Sequence, residues 1–95
     1  MISDAAIRDQ ITFATPPNLR VPAYRVIDRT DGFSPGQQLM GTALALVAMS
    51  EAVGLNPHEL IVFAQNAMAD VEGPFTYHIQ AIRDYAKHEI KRNPR

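Results

Sequence analysis

A chain of 95 residues that is 46% hydrophobic, only 7% aromatic and free of tryptophan fits one domain with a core of Ala, Leu, Ile, Val and Met, a helical palette. The absence of cysteine excludes disulfides, a thiol nucleophile and a thiolate metal site, and a net charge of −1 argues against nonspecific nucleic-acid binding. The first thirty residues hold Asp4, Arg8 and Asp9 and no continuous apolar stretch, so they do not resemble a secretory signal and the expected compartment is the cytoplasm.

The pattern predicts an all-α fold, a small four-helix domain spanning residues 1–95. A short first helix follows Ser3, which can cap its amides, with Ile7 and Ile11 one turn apart, and it ends before Pro16. From Thr15 to Pro35 the chain carries Pro16, Pro17, Pro22 and Pro35 with Gly32, and the expectation is a Pro-rich extended arm in which "RVPAYRVID" forms at most an isolated or edge strand. Three helices follow as a C-terminal core. Ser34 and Pro35 open one that Gly54 stops, Asn56, Pro57 and Glu59 open the next, which runs to about Val71, and Pro74 after Gly73 opens the last.

The helix that starts at Pro35 is unusual. Leu39 to Met49 contains no charge and one hydroxyl, yet these eleven residues fall well short of the about 20 needed to cross a bilayer. On a helical wheel, Gly41, Ala45, Ala48 and Ala52 make one narrow stripe, with Leu39, Leu46, Met49 and Val53 opposite and Met40, Leu44 and Val47 in a third sector. No broad arc faces water. Either the other helices of the same chain cover it, or Gly41, Ala45, Ala48 and Ala52 form the interface of a homo-oligomer.

The next helix presents Leu60, Ala64, Ala67 and Val71 toward a core, widened by Ile61, Phe63 and Met68. With its predecessor and the short turn at Gly54 it matches the punctuation of a helix-turn-helix. Between Ser34 and Ile82, however, there is no Lys or Arg, so such a recognition helix would meet phosphates with acidic side chains.

The last helix divides into a core face of Phe75, Ile79, Ile82, Ala86 and Ile90, a solvated face of Gln80, Arg83, Asp84, Lys87 and Lys91, and between them His78, Ala81, Tyr85 and His88. Two imidazoles and a phenol on one side read either as a wet boundary of the core or as a surface for a partner or ligand. Arginines of the arm, Arg25 and Arg29 among them, could converge beside Tyr85 and His88 to hold an anionic ligand, unless Asp28, Asp31, Asp84 and Glu89 neutralise them.

No coupled catalytic set is visible, and no enzyme is expected. Ser34 and Ser50 lack a patterned His or Asp, there is no phosphate loop, and Asp84 with His88 supplies two potential metal ligands without a third. No cofactor, metal or membrane association is therefore expected. The runs "GTALALVAM", "GLNPHEL" and "YHIQAIRDYAKHEI", from Gly41 to Ile90, resemble small helical accessory proteins of bacteriophages and prophages. The resemblance implies stoichiometric binding that blocks a host protein or sequesters a ligand, in a host cytoplasm, and it carries over no residue role. The leading expectation is a non-enzymatic, self-associating helical interaction protein that binds another protein. The alternatives are a small anionic-ligand (nucleotide-like) binder and a helix-turn-helix DNA-binding regulator.

Overall fold

A computed structural model describes residues 4–69, 73 and 76–91. Five helices account for nearly all of them: α1 (Asp4–Phe13), α2 (Pro16–Arg29), α3 (Pro35–Val53), α4 (Pro57–Ala69) and α5 (Thr76–Lys91), with no strand among the described residues. The fold is all-α. Ser3, Val71, Pro74, Phe75, Arg92 and Arg95 lie outside the described residues.

The expected extended arm is corrected by α2. Thr15 is itself extended (φ −110°, ψ 158°) and its carbonyl accepts from Asn18 and Leu19, so the helix starts directly at Pro16 and Pro17. Prolines there remove amides that a first turn would leave unpaired anyway, and their fixed φ is already helical. Pro22 lies inside α2 and is accommodated in its second turn. Tertiary packing offsets its lost amide: Arg20, Ala23, Tyr24, Ile27 and Thr30 are each partly buried, at steps of three, one, three and three, which is one face of a helix. That face packs on α5 in the most extensive helix pair of the chain. Thr30 ends the helix, its hydroxyl donating to the Ile27 carbonyl at 2.8 Å, and Gly32 takes the positive φ (91°) of the following turn.

The punctuation of α3 is as the sequence predicts. Ser34 Oγ accepts from the Gln37 amide at 3.2 Å while Gln37 Oε1 accepts from the Ser34 amide at 3.1 Å, a reciprocal capping box, and Pro35 follows it. Gly54 closes the helix in the left-handed conformation, φ 75°. Asn56 caps α4 by accepting from the His58 amide at 2.9 Å. Glu59 does not reach back to this cap as expected; its carboxylate accepts from Arg8 Nη1 at 3.1 Å and ties α4 to α1. At the other end of α4, Arg83 of α5 donates to the Met68 carbonyl at 2.6 Å, satisfying one of the acceptors that a helix C-terminus leaves open. Arg83, expected on a solvated face, is thus a brace between two helices.

The core is small. Among the described residues only Leu55, Ile79, Gln38 and Ser50 are buried, and two of these four are polar. Ser50 resolves its hydroxyl by donating to the Leu46 carbonyl at 2.8 Å, and Gln38 donates to Thr30 Oγ1 at 3.2 Å. The molecule measures 41 × 32 × 19 Å, thin enough for two layers of helices, and its radius of gyration is 14.2 Å. A compact chain of this length would have a radius of about 12 Å. Its accessible surface is 7040 Å², against about 5400 Å² for a compact monomer of the same 10.5 kDa mass.

Candidate functional site

Long apolar side chains lie open on α3 and on its neighbours. Leu39, Met40, Leu44 and Met49 remain 64%, 62%, 66% and 68% exposed, and Val47 and Val53 are exposed as well. Along the helix only Pro35, Gln38, Leu46 and Ser50 are at least partly buried. Of the two covers weighed from the sequence, the one from within the chain is not supplied by the described residues. Gly41, Ala45, Ala48 and Ala52 all lie on the exposed side, and a methyl group placed on Gly41 would meet nothing within 4 Å. The intramolecular packing of this chain therefore gives no reason for a glycine in mid-helix, where it costs about 1 kcal/mol relative to alanine.

The apolar surface continues onto α4 and α1. Ile61, Val62 and Phe63 are exposed on α4, Phe13 ends α1 with three-quarters of its surface in water, and Leu19 is exposed on α2. Ile11, Ala14, Leu19, Leu60, Phe63 and Ala67 line an open groove of about 480 Å³. No charged side chain lines this groove; the Arg8–Glu59 ion pair borders the adjoining hollow. The face of α4 predicted from Leu60, Ala64 and Ala67 is thus a half-covered groove wall, with Leu60, Ala67 and Met68 partly buried and Ala64 exposed. Across the Gly54 turn the axes of α3 and α4 bend by 118°, within the range of a helix-turn-helix. Neither helix carries a Lys or Arg with which to approach a phosphate backbone. Among the described residues no single helix is long and apolar enough to cross a membrane.

The residues expected to form a second surface are divided. His78 and Tyr85 do share one side of α5, but that side faces α2. The Tyr85 ring stacks on Tyr24 with centroids 4.3 Å apart and planes 26° from parallel, and the Tyr85 hydroxyl donates to the Asp28 carboxylate. Arg20 Nε donates to the Tyr24 hydroxyl at 2.9 Å, its Nη1 lies 3.4 Å from His78 Nδ1, and its guanidinium sits 5.3 Å from the Tyr77 ring centroid. These contacts make His78 and Tyr85 parts of a filled helix–helix seam, leaving little of either for a partner. His88, Arg25 and Arg29 are exposed.

Electrostatics follow from this geometry. The hydrogen bond to Asp28, then desolvation, then the carboxylate's charge hold the Tyr85 phenol protonated and push its pKa up to about 12. Arg20 is shifted further up by its bonds to Tyr24 and Tyr77. Arg25 and Arg29 border an open hollow of about 370 Å³ together with Asp28, so the anion site expected there shares its lining with a carboxylate. Asp84 accepts from Gln80 at 2.8 Å, and among the described residues no three metal-ligating side chains converge.

Tyr24 and Tyr77 are seam residues that sequence reasoning missed, while Arg20 and Asp28, an arm arginine and an arm carboxylate, join them in the seam rather than at an anion site. The signal was present in the 20, 23, 24, 27 spacing of "RVPAYRVID", which the prolines concealed. The groove residues Ile11, Leu19 and Phe63 come from three separate helices and carry no joint signal in the sequence. Comparison of the chain with known protein families, with curated proteins and with solved structures finds no match.

Proposed function

We propose that this protein is a non-enzymatic helical interaction protein that assembles with itself and displays the adjoining α1–α4 groove to another protein. The observation that supports this most is α3: a helix without charge from Pro35 to Ser50, in which four of the five Leu and Met side chains are each about two-thirds exposed. An apolar surface of that extent is the mark of an interaction site. Burying it stabilises an assembly by about 25 cal/mol per Å² of apolar area before the costs of association. Light scattering coupled to size exclusion over a wide concentration range tests the assembly, and a strict monomer at the highest concentration rejects it. The resemblance to phage accessory proteins extends the proposal to a stoichiometric modulator of a host protein, working in the host cytoplasm. Capture from that host with wild-type protein and with a Phe63→Asp variant tests this extension; a partner retained equally by both rejects the groove.

A second reading is supported by Arg25 and Arg29, four residues apart on α2 at the edge of one hollow: a small phosphorylated ligand binds there. Thermal-shift measurements with inorganic phosphate and nucleotides test it, since a ligand selective for the folded form raises the melting temperature. No shift at saturation removes the compounds tried.

A further inference from the structure

We infer that α3 pairs with α3 of a second copy, antiparallel and about a two-fold axis centred between Leu46 and Val47. This rests on the self-association reading and specifies its surface, orientation and register.

The surface to be covered is open and apolar: Leu39, Met40, Leu44 and Met49 are each 62–68% exposed. A stable interface removes about 800 Å² from each partner. Met40, Leu44 and Met49 flank the outward side of α3, so pairing buries long apolar side chains that water now surrounds.

Charge favours a second copy as occupant. A partner with a charged face would leave those charges unpaired against α3, whereas another α3 brings none between Pro35 and Ser50. Glu51 is the exception and decides orientation. In a parallel pair the two Glu51 carboxylates would lie side by side and the helix dipoles would align. In the antiparallel pair they stand about 14 Å apart along the axis and the dipoles oppose.

Register follows from the shape of the exposed side. About a centre between Leu46 and Val47, Gly41 of one copy lies level with Ala52 of the other, and Ala45 with Ala48. Every close approach along the line is then between two small residues, and each copy makes the same contacts as the other, as a two-fold interface requires. Leu44 and Met40 close the line on one flank and Met49 on the other. Gly41, which no contact among the described residues requires, gains a reason: it sits where the second helix passes.

The chain has no cysteine, which makes the geometry directly testable by disulfide trapping. Gly41→Cys and Ala52→Cys variants are prepared separately, checked for helicity by circular dichroism, then oxidised alone and after mixing. The expected result is a dimer band on non-reducing electrophoresis from the mixture and none from either variant alone. In the antiparallel pair, equivalent positions are about 16 Å apart for Gly41 and for Ala52, beyond the about 7 Å that a disulfide spans between Cα atoms. Efficient bridging of each variant with itself overturns the antiparallel register while leaving self-association intact. Dimers by light scattering that form no disulfide in any combination overturn α3 as the seam. An Ala48→Glu variant, helical by circular dichroism, is expected to be monomeric; if it dimerises as the wild type does, α3 is again rejected. A wild-type monomer at every concentration, or one that associates only on phosphatidylcholine vesicles, overturns both this inference and the proposed self-association beneath it.

Discussion

The two halves of the molecule invert the usual relation between hydrophobicity and burial. The pair α2–α5 is amphipathic and rich in charge, yet it is the best packed part of the chain, closed by the Tyr24–Tyr85 stack, the Tyr85–Asp28 bond and Arg20 threaded between two helices. The pair α3–α4 is apolar on nearly all sides and leaves most of its long side chains in water. What separates them is partnership. Each helix of the first pair has a stripe that matches its neighbour, while α3 needs cover on more sides than α4 supplies. Composition determines how much surface a helix has to hide, and topology determines whether the same chain can hide it.

This contrast can be broken most sharply by truncating one aliphatic side chain in each half. Ile79 is buried on α5, and Ile79→Ala is expected to lower stability by about 2–5 kcal/mol. Leu44→Ala on α3, removing a side chain that is mostly in water, is expected to change the stability of the dilute protein by less than about 0.5 kcal/mol. Urea unfolding followed by circular dichroism at low protein concentration measures both. Equal losses would mean that α3 is covered by its own chain.

Association should show the reverse order. Leu44→Asp places a carboxylate within the proposed apolar interface and is expected to weaken self-association by about tenfold to a hundredfold, which sedimentation equilibrium reads directly. The change should leave the melting temperature of the dilute chain nearly unaltered.

A smaller effect is expected where the two halves are joined. Arg83→Met keeps most of the side chain's length but removes the donor to the Met68 carbonyl, so α4 is expected to fray at its C-terminus with a loss of about 1–2 kcal/mol. Hydrogen exchange should localise the loss to the last turn of α4; uniform acceleration along the chain would show that Arg83 braces the whole fold.

The mildest test uses alkaline pH. Tyr85 has its pKa raised from 10.0 to about 12, so the folded state holds that proton more tightly than the unfolded chain. The contribution of the Tyr85–Asp28 contact is therefore complete below pH 10 and is lost as the pH rises toward 12. Tyrosinate absorbance should show a late-titrating phenol, and Asp28→Asn should abolish the delay. A late phenol that persists in Asp28→Asn would assign the shift to desolvation instead.

Much of the fold was legible in the chain because helix ends are local events. The capping box of Ser34 and Gln37, the left-handed Gly54 and the Asn56–Pro57 start each depend on a few adjacent residues, and the bounds of α3 follow from them. The error at α2 has the same origin. Prolines were counted as breakers, whereas two of them occupy the first turn and Pro22 is tolerated because α5 covers the opposite face. Of the expected site residues, Gly41, Ala45, Ala48 and Ala52 do lie on an open face, while His78 and Tyr85 look inward and His88, Arg25 and Arg29 outward. Whether a ring on a boundary stripe faces a neighbour or water depends on a helix some fifty residues away, as Tyr85 on Asp28 shows.

By itself, then, the sequence determined the helical class, the bounds of α3 and the start of α4, and the charge-free character of α3, since these rest on capping, backbone propensity and composition within single segments. Only the tertiary structure decided that the proline-rich segment is a helix, that α5 spends its aromatic stripe on that helix, and that α3 is left open. The reason is that burial is a property of pairs of surfaces: one segment can state what must be covered, and only the arrangement of the others decides whether anything covers it.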